Sequence, residues 1–120
     1  FAPQSKQFKS ATLHQIGVDV KKPNKVIIQV HTYKIISNNS EECKNELLTG
    51  ELRGCIKYPV QKIYIAPDQD DEGWFLTLIH ECMHGFIQHM GCKDNEKLTD
   101  NLAAAIFTFL QENKLWKIQK

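Results

Sequence analysis

Trp74-Phe75-Leu76-Thr77-Leu78-Ile79-His80-Glu81-Cys82-Met83-His84, continued by Phe86, Ile87 and Met90, is the stretch on which the reading of this chain turns. It is apolar almost all round, as a helix inside a core is, yet it carries two histidines and a glutamate spaced H-E-x-x-H. Four residues of α-helix advance ~400°, so the His80 and His84 imidazoles project within ~40° of each other, one turn apart. That spacing lets both grip one tetrahedral Zn²⁺ at ~2.0–2.1 Å. Glu81 lies ~100° round from His80, outside the ligand pair, and is placed to hydrogen-bond a water at an open metal position. A surface helix with an i,i+4 histidine pair is the bland alternative. The apolar surroundings weigh against it, because polar groups buried without partners cost roughly 2–7 kcal/mol each.

Catalytic zinc usually has three protein ligands plus water, so two histidines are not enough. The metzincin extension fails, since Ile87 and Met90 stand where its glycine and third histidine belong. His89 points ~180° away from His80 in continuous helix and reads as a surface or helix-end residue. Gly91 ends the helix as a C′ glycine does. The segment from Glu96 to Leu110 is dominated by Ala and Leu and predicts a second helix, capped by Asp94 or Asn95. Ala103 to Ala105 are small enough to let it pack closely on the first. Its acids Glu96 and Asp100 share a face. Favouring the positive helix N-terminus, at ~0.3–1 kcal/mol each, accounts for one of them comfortably and for both only partly. Glu96, with the longer reach, is the expected third metal ligand; Asp100 is the alternative.

At this point the chain resembles a family. His80, Glu81, His84, Gly91, Glu96, Thr99, Leu102, Ala103, Leu110 and Asn113 follow a pattern similar to the small phage-type zincins, distant relatives of the ImmA/IrrE metallopeptidases. Tyr33-Lys34-Ile35, Gly54-Cys55-Ile56 and Gln61-Lys62-Ile63-Tyr64-Ile65 look like that family's short strands, so the resemblance spans roughly residues 25–113. It implies a gluzincin-type site with an acidic third ligand, and leaves open which acid, because family members carry carboxylates at both places. A phage or other mobile-element setting is implied by the resemblance alone.

The chemistry expected of such a site is zinc-assisted hydrolysis of peptide bonds in a protein substrate, with Glu81 as general base. An edge strand beside the site would hold an extended peptide, and the family topology makes that strand Lys62–Ile65. Tyr58, Tyr64, His31 and His14 are candidates to steady the oxyanion. The rival from another class is a zincin-fold protein-binding module with a structural or vestigial metal and no catalysis. The intact Glu81 weighs against it, since a structural site needs no base.

The fold class expected is α+β: a small antiparallel or mixed sheet of three to four strands packed on the H-E-x-x-H helix and a following C-terminal helix. Residues 1–24 read as an arm or lead-in and 25–120 as the domain. Val26 to Ile36 is β-branched and aromatic, long enough for two strands turning near His31 or for one bent strand. Glu41 to Leu48 is a short helix or a loop. Gly54–Tyr58 and Lys62–Ile65 form a hairpin turning at Pro59-Val60-Gln61, and Asp70 or Asp71 caps the motif helix. Leu115-Trp116-Lys117-Ile118 packs back on the domain.

Hydrophobic content of 42% and charged content of 24% in 120 residues are those of one ordinary globular domain. A net charge of +1 gives no electrostatic case for nucleic acid or anionic membranes. The lysines are scattered apart from Lys21, Lys22 and Lys25, and no apolar run reaches the ~18 residues of a membrane span. Cys43, Cys55, Cys82 and Cys92 form no C-x-x-C, so free thiols in a cytoplasmic protein are the first reading and two disulfides the second. Cys82 reads as a small buried hydrophobe and Cys92 as a remote candidate for the metal. The chain starts at Phe1 rather than methionine, which leaves a removed leader, and secretion, open.

Overall fold

A computed structural model describes residues 22–115. The chain runs β1 (Lys25–Ile28), β2 (His31–Ile36), α1 (Glu41–Glu46), β3 (Gly54–Lys57), β4 (Lys62–Ile65), α2 (Asp71–His89) and α3 (Glu96–Glu112). The fold is α+β, with a four-stranded mixed sheet in the order β1-β2-β4-β3. The expected positions of His14 and of Trp116 to Ile118 lie outside the described residues, as does most of the 1–24 lead-in.

Val26 to Ile36 resolves into two strands rather than one. β1 and β2 pair antiparallel with Ile28 opposite His31. The connection is two residues, Gln29 and Val30, at φ 47° and 66°. Positive φ at both positions is the turn that matches the twist of a tight hairpin, though Val30 carries a β-branched side chain in a conformation that suits Asn or Gly. β3 and β4 form the second hairpin, with Lys57 opposite Lys62. The two hairpins are joined by the parallel pair of β2 with β4, Ile35 opposite Ile63. A parallel pair needs a long crossover, and here α1 and β3 supply it. Ser40 caps α1, its hydroxyl accepting from the Cys43 amide at 3.2 Å.

The joint between the hairpins corrects one expectation. Lys62–Ile65 is an inner strand, with β2 on one side and β3 on the other, so its backbone groups are spent on the sheet. The edge at that end of the sheet is β3.

Alternation along the strands sorts the core. Ile63 and Ile65 face α2 with Ile28, Tyr33, Ile35, Trp74, Phe75, Leu78 and Phe107. Tyr64 points to the opposite face, against Cys43, Leu47 and Ala66. Asp70 caps α2, its Oδ1 accepting from the Gly73 amide at 2.8 Å. At the other end Cys92 N–H donates to the Ile87 carbonyl and Gly91 N–H to that of Gln88, with Gly91 at φ +73°. That is the paired bonding of a glycine-terminated helix. α3 is capped by the Asn95 side chain, which accepts from the Leu98 amide at 3.0 Å. It buries Thr99, Ala103, Phe107 and Gln111, every fourth residue. Of the three alanines only Ala103 is on that inner face; Ala104 is half-buried and Ala105 exposed. All four thiols are free, and among the described residues no helix is long and apolar enough to cross a membrane.

Candidate metal centre

α2 reaches the sheet closely enough that a side chain at either of two glycines would force its neighbours to shift. A Cβ on Gly85 would come within 2.8 Å of Ile28 Cδ1, and one on Gly54 within 2.5 Å of Thr77 Cγ2 and 3.1 Å of Glu81 Oε2. The missing side chain at Gly54 is what lets the start of β3 lie beside the Glu81 carboxylate. α2 thereby presents His80, Glu81 and His84 to a pocket of about 610 Å³ that also takes in Tyr58 and Arg53.

Helical phase on α2 and the short loop to α3 then bring three donor atoms together. His80 Nε2 and His84 Nε2 are 3.1 Å apart, and Glu96 Oε1 stands 2.9 Å from each. Bonds of ~2.0–2.1 Å in a tetrahedron place neighbouring ligand atoms ~3.3 Å apart, so the triangle is within a few tenths of an ångström of what one ion needs. The donor set agrees with the geometry. Each imidazole turns its other nitrogen to a carboxylate: His84 Nδ1 is 2.9 Å from Asp94 Oδ2, and His80 Nδ1 is 3.1 Å from Asp100 Oδ1. A proton held at each Nδ1 leaves the Nε2 lone pairs aimed at one another and at a carboxylate oxygen. Three electron-rich atoms so placed repel unless a cation lies between them. His80, His84 and Glu96 are a group that could hold a metal ion.

Of the two acids weighed from sequence, Glu96 is therefore the one that meets both imidazoles, while Asp100, one turn further on, orients His80. Asp94 does the same for His84 and takes a 3.4 Å hydrogen bond from the buried Thr99 hydroxyl. Sequence reasoning assigned Asp94 only to helix capping. It sits in an irregular loop, where no periodicity could have flagged it. The outer side of the centre is open, since the Glu96 side chain is 72% exposed against 9% for His84.

Glu81 is buried, and among the described residues its carboxylate makes no hydrogen bond. Burial holds its carboxyl above the usual carboxylate range; His80 and His84 pull the other way, and Glu96 and Asp94 push it further up. A buried acid, unpaired and facing a pocket, is poised to exchange a proton there.

The remaining candidates separate cleanly. Tyr58 lines the pocket, and its hydroxyl is pushed up to about 12, first by burial and then by Asp94. It is a neutral donor at working pH. Tyr64 donates to Glu42 Oε2 at 2.6 Å on the far face of the sheet. His31 stacks on His89 with ring centroids 4.2 Å apart. His89, read as a surface or helix-end residue, is the last residue of α2 and half-buried, with Nε2 2.6 Å from the Tyr33 hydroxyl. Neither ring enters the metal group. Cys82 is rotated off the ligand face, and burial raises its thiol to about 12, which leaves it a poor nucleophile. Cys92 is exposed and outside the group.

A scan against protein-family models, a search of curated proteins and a search of solved structures each return no match to the chain.

Proposed function

We propose that this chain is a zinc-dependent hydrolase of peptide bonds, built on a minimal zincin-like fold similar to that of the ImmA/IrrE metallopeptidases. The observation that carries the reading is the triangle of His80 Nε2, His84 Nε2 and Glu96 Oε1 with the unbonded Glu81 carboxylate beside it. His80, His84 and Glu96 would hold the ion. Zinc bound by such a set supplies Lewis-acid polarisation of a carbonyl and lowers the pKa of water toward ~7.

The other steps belong to the chain's own groups. Asp94 and Asp100 fix the two imidazoles through their Nδ1 atoms. Glu81 accepts a proton from the attacking water at a carboxylate oxygen and delivers it to the amine nitrogen that leaves. Its raised proton affinity suits both halves of that shuttle. Tyr58 donates its hydroxyl hydrogen bond to the carbonyl oxygen as charge develops there. β3, an edge strand among the described residues, pairs with an extended peptide through its main chain and lays the bond to be cut across Glu81.

The test is a peptide-library cleavage assay on the zinc-loaded protein, with zinc measured by elemental analysis. Glu81→Gln should keep close to one zinc per chain and lose cleavage, by at least about a hundredfold, within the ~10²–10⁴-fold worth of a general base. Equal cleavage by wild type and the Gln variant removes Glu81 from the mechanism. Absence of cleavage by a fully loaded wild type overturns the hydrolase reading and leaves the protein-binding module.

A further inference from the structure

The chain draws nearly all its positive charge from lysine. Arg53 is the only arginine among 15 basic residues, and it stands in the pocket of the metal group, directly before β3, an edge strand of the described sheet. Every other charged group lining that pocket is a carboxylate, namely Glu81, Asp94, Glu96 and Asp100, beside the two histidines. We propose that Arg53 anchors a substrate carboxylate, so that the site selects peptides bearing an Asp or Glu side chain, or a free C-terminus, one or two residues from the bond cut. This inference rests on the hydrolase reading above and names the substrate class for that site.

The local bonding prepares the guanidinium for this work. Arg53 Nη1 donates to Gln69 Oε1 at 3.2 Å, and that oxygen also lies 3.0 Å from Thr77 Oγ1, whose single proton it shares with the Gly73 carbonyl at 2.8 Å. Gln69 is held in turn by its own donation to the Ala66 carbonyl at 3.0 Å, and the Ala66 amide donates to the Arg53 carbonyl at 2.8 Å. A neutral amide thus positions the side chain and uses one of its five N–H donors. Among the described residues no carboxylate lies within ion-pair distance of it. The rest of the planar fork is free for a bidentate carboxylate, which a lysine could meet only as a point charge.

The placement sets the reach. Thr77, to which Arg53 is tied through Gln69, lies one helical turn before Glu81, a rise of ~5–6 Å. A Cβ added at Gly54, the next residue, would come within 3.1 Å of the Glu81 carboxylate, so the chain there runs close beside it. A strand residue spans ~3.3 Å, so an anion on the guanidinium belongs one or two residues from the carbonyl at Glu81. A substrate carboxylate entering beside four acids is repelled by them, and with the ion committed to His80, His84 and Glu96 the Arg53 guanidinium is the side-chain cation lining the pocket that offsets this repulsion.

The experiment compares wild type, Arg53→Ala, Arg53→Lys and Arg53→Glu, all zinc-loaded, on random peptides with amidated and with free C-termini. Binding of the same peptides is read on the Glu81→Gln background. Arg53 is exposed, so circular dichroism and Tm should match wild type in all variants. Expected is a preference for Asp or Glu near the cut, or for the free C-terminus, that falls at least tenfold in Arg53→Ala, is partly kept in Arg53→Lys and turns toward basic residues in Arg53→Glu. The amidated pool tells a side-chain carboxylate from a terminal one. Cleavage with the same preference in wild type and Arg53→Ala overturns the assignment while the hydrolase reading stands. If wild type cleaves nothing, binding decides: acidic peptides retained on the Glu81→Gln protein and released by adding Arg53→Ala keep the anchor, and equal retention, or none, removes it.

Discussion

Replacing Glu96 by alanine takes one corner from the donor triangle, whereas replacing Asp94 or Asp100 only frees an imidazole to turn. Zinc affinity, measured by competition with a chelator, should therefore fall most for His80→Ala, His84→Ala and Glu96→Ala. Asp94→Ala and Asp100→Ala should each cost about 10–100-fold, the usual worth of a carboxylate behind a metal-bound histidine. A larger loss from Asp100→Ala than from Glu96→Ala would exchange their roles. Glu81 gives a different residue-scale prediction, on stability. Because burial raises its proton affinity in the fold, the folded protein holds that proton more tightly than the unfolded chain does. The associated stability is complete below the unfolded carboxyl value of ~4.3 and is lost as pH rises through the higher folded value. Glutamine does not ionise. The metal-free Glu81→Gln protein should melt above metal-free wild type at pH 7, and the gap should close as the pH is lowered toward 4. A gap that widens on acidification would contradict the sign. His80, Glu81 and His84 were legible because a five-residue helical repeat encodes their geometry. Asp94 was not, since a loop's path depends on where α3 docks.

Elements carry their own strain, and the clearest case is the β1–β2 turn. Gln29 and Val30 both sit at positive φ, and Val30 is 89% exposed, so packing does not hold it there. A non-glycine residue in this region costs roughly 1–2 kcal/mol. Changing Gln29-Val30 to Asn-Gly, the favoured pair for this turn, should raise unfolding free energy by about 1 kcal/mol in urea titration with an unchanged slope. A loss of stability would mean that the turn is not of this type. The same region shows what a sequence conveys about elements. The β3–β4 hairpin could be read from its runs and turn, the Val26–Ile36 run only as two strands or one bent strand, and both helix caps lie within the pairs of residues named for them, at Asp70 and Asn95. The strand order could not. Local pattern joins β3 to β4, yet the β2–β4 pairing links residues about 28 apart, as Ile35 and Ile63 are. Whether β4 is edge or interior is decided by that long-range contact, which also moves the edge to β3. Tyr64 illustrates the consequence: pattern made it a plausible site tyrosine, and strand alternation sends it to the other face.

On the scale of the whole molecule, an ion in the proposed centre would join two helices that otherwise meet through the inner face of α3. His80 and His84 belong to α2 and Glu96 to the first turn of α3, whose packing runs through Thr99, Ala103, Phe107 and Gln111. Domains of this size are stable by only about 5–15 kcal/mol, and a ligand present at a hundred times its Kd adds about 2.7 kcal/mol. Stripping zinc with a chelator should accordingly lower the Tm by about 10 °C or more, at roughly 4 °C or more per kcal/mol, with recovery on adding zinc back. The His80→Ala/His84→Ala double variant should show no zinc-dependent shift. Where the loss is felt distinguishes a tie between helices from a general stabiliser. The sheet and α2 share the large apolar core and do not need the ion to stay packed. The start of α3 is exposed at Glu96, Lys97 and Leu98 and is held there by the buried Thr99 and by the carboxylates that face the two histidines. Hydrogen exchange of the metal-free protein should therefore speed up first from Glu96 to about Asp100, while β2, β4 and the middle of α2 keep their protection. A uniform rise across all elements would show that the ion supports the fold as a whole. No change at α3 would show that Glu96 does not bind it.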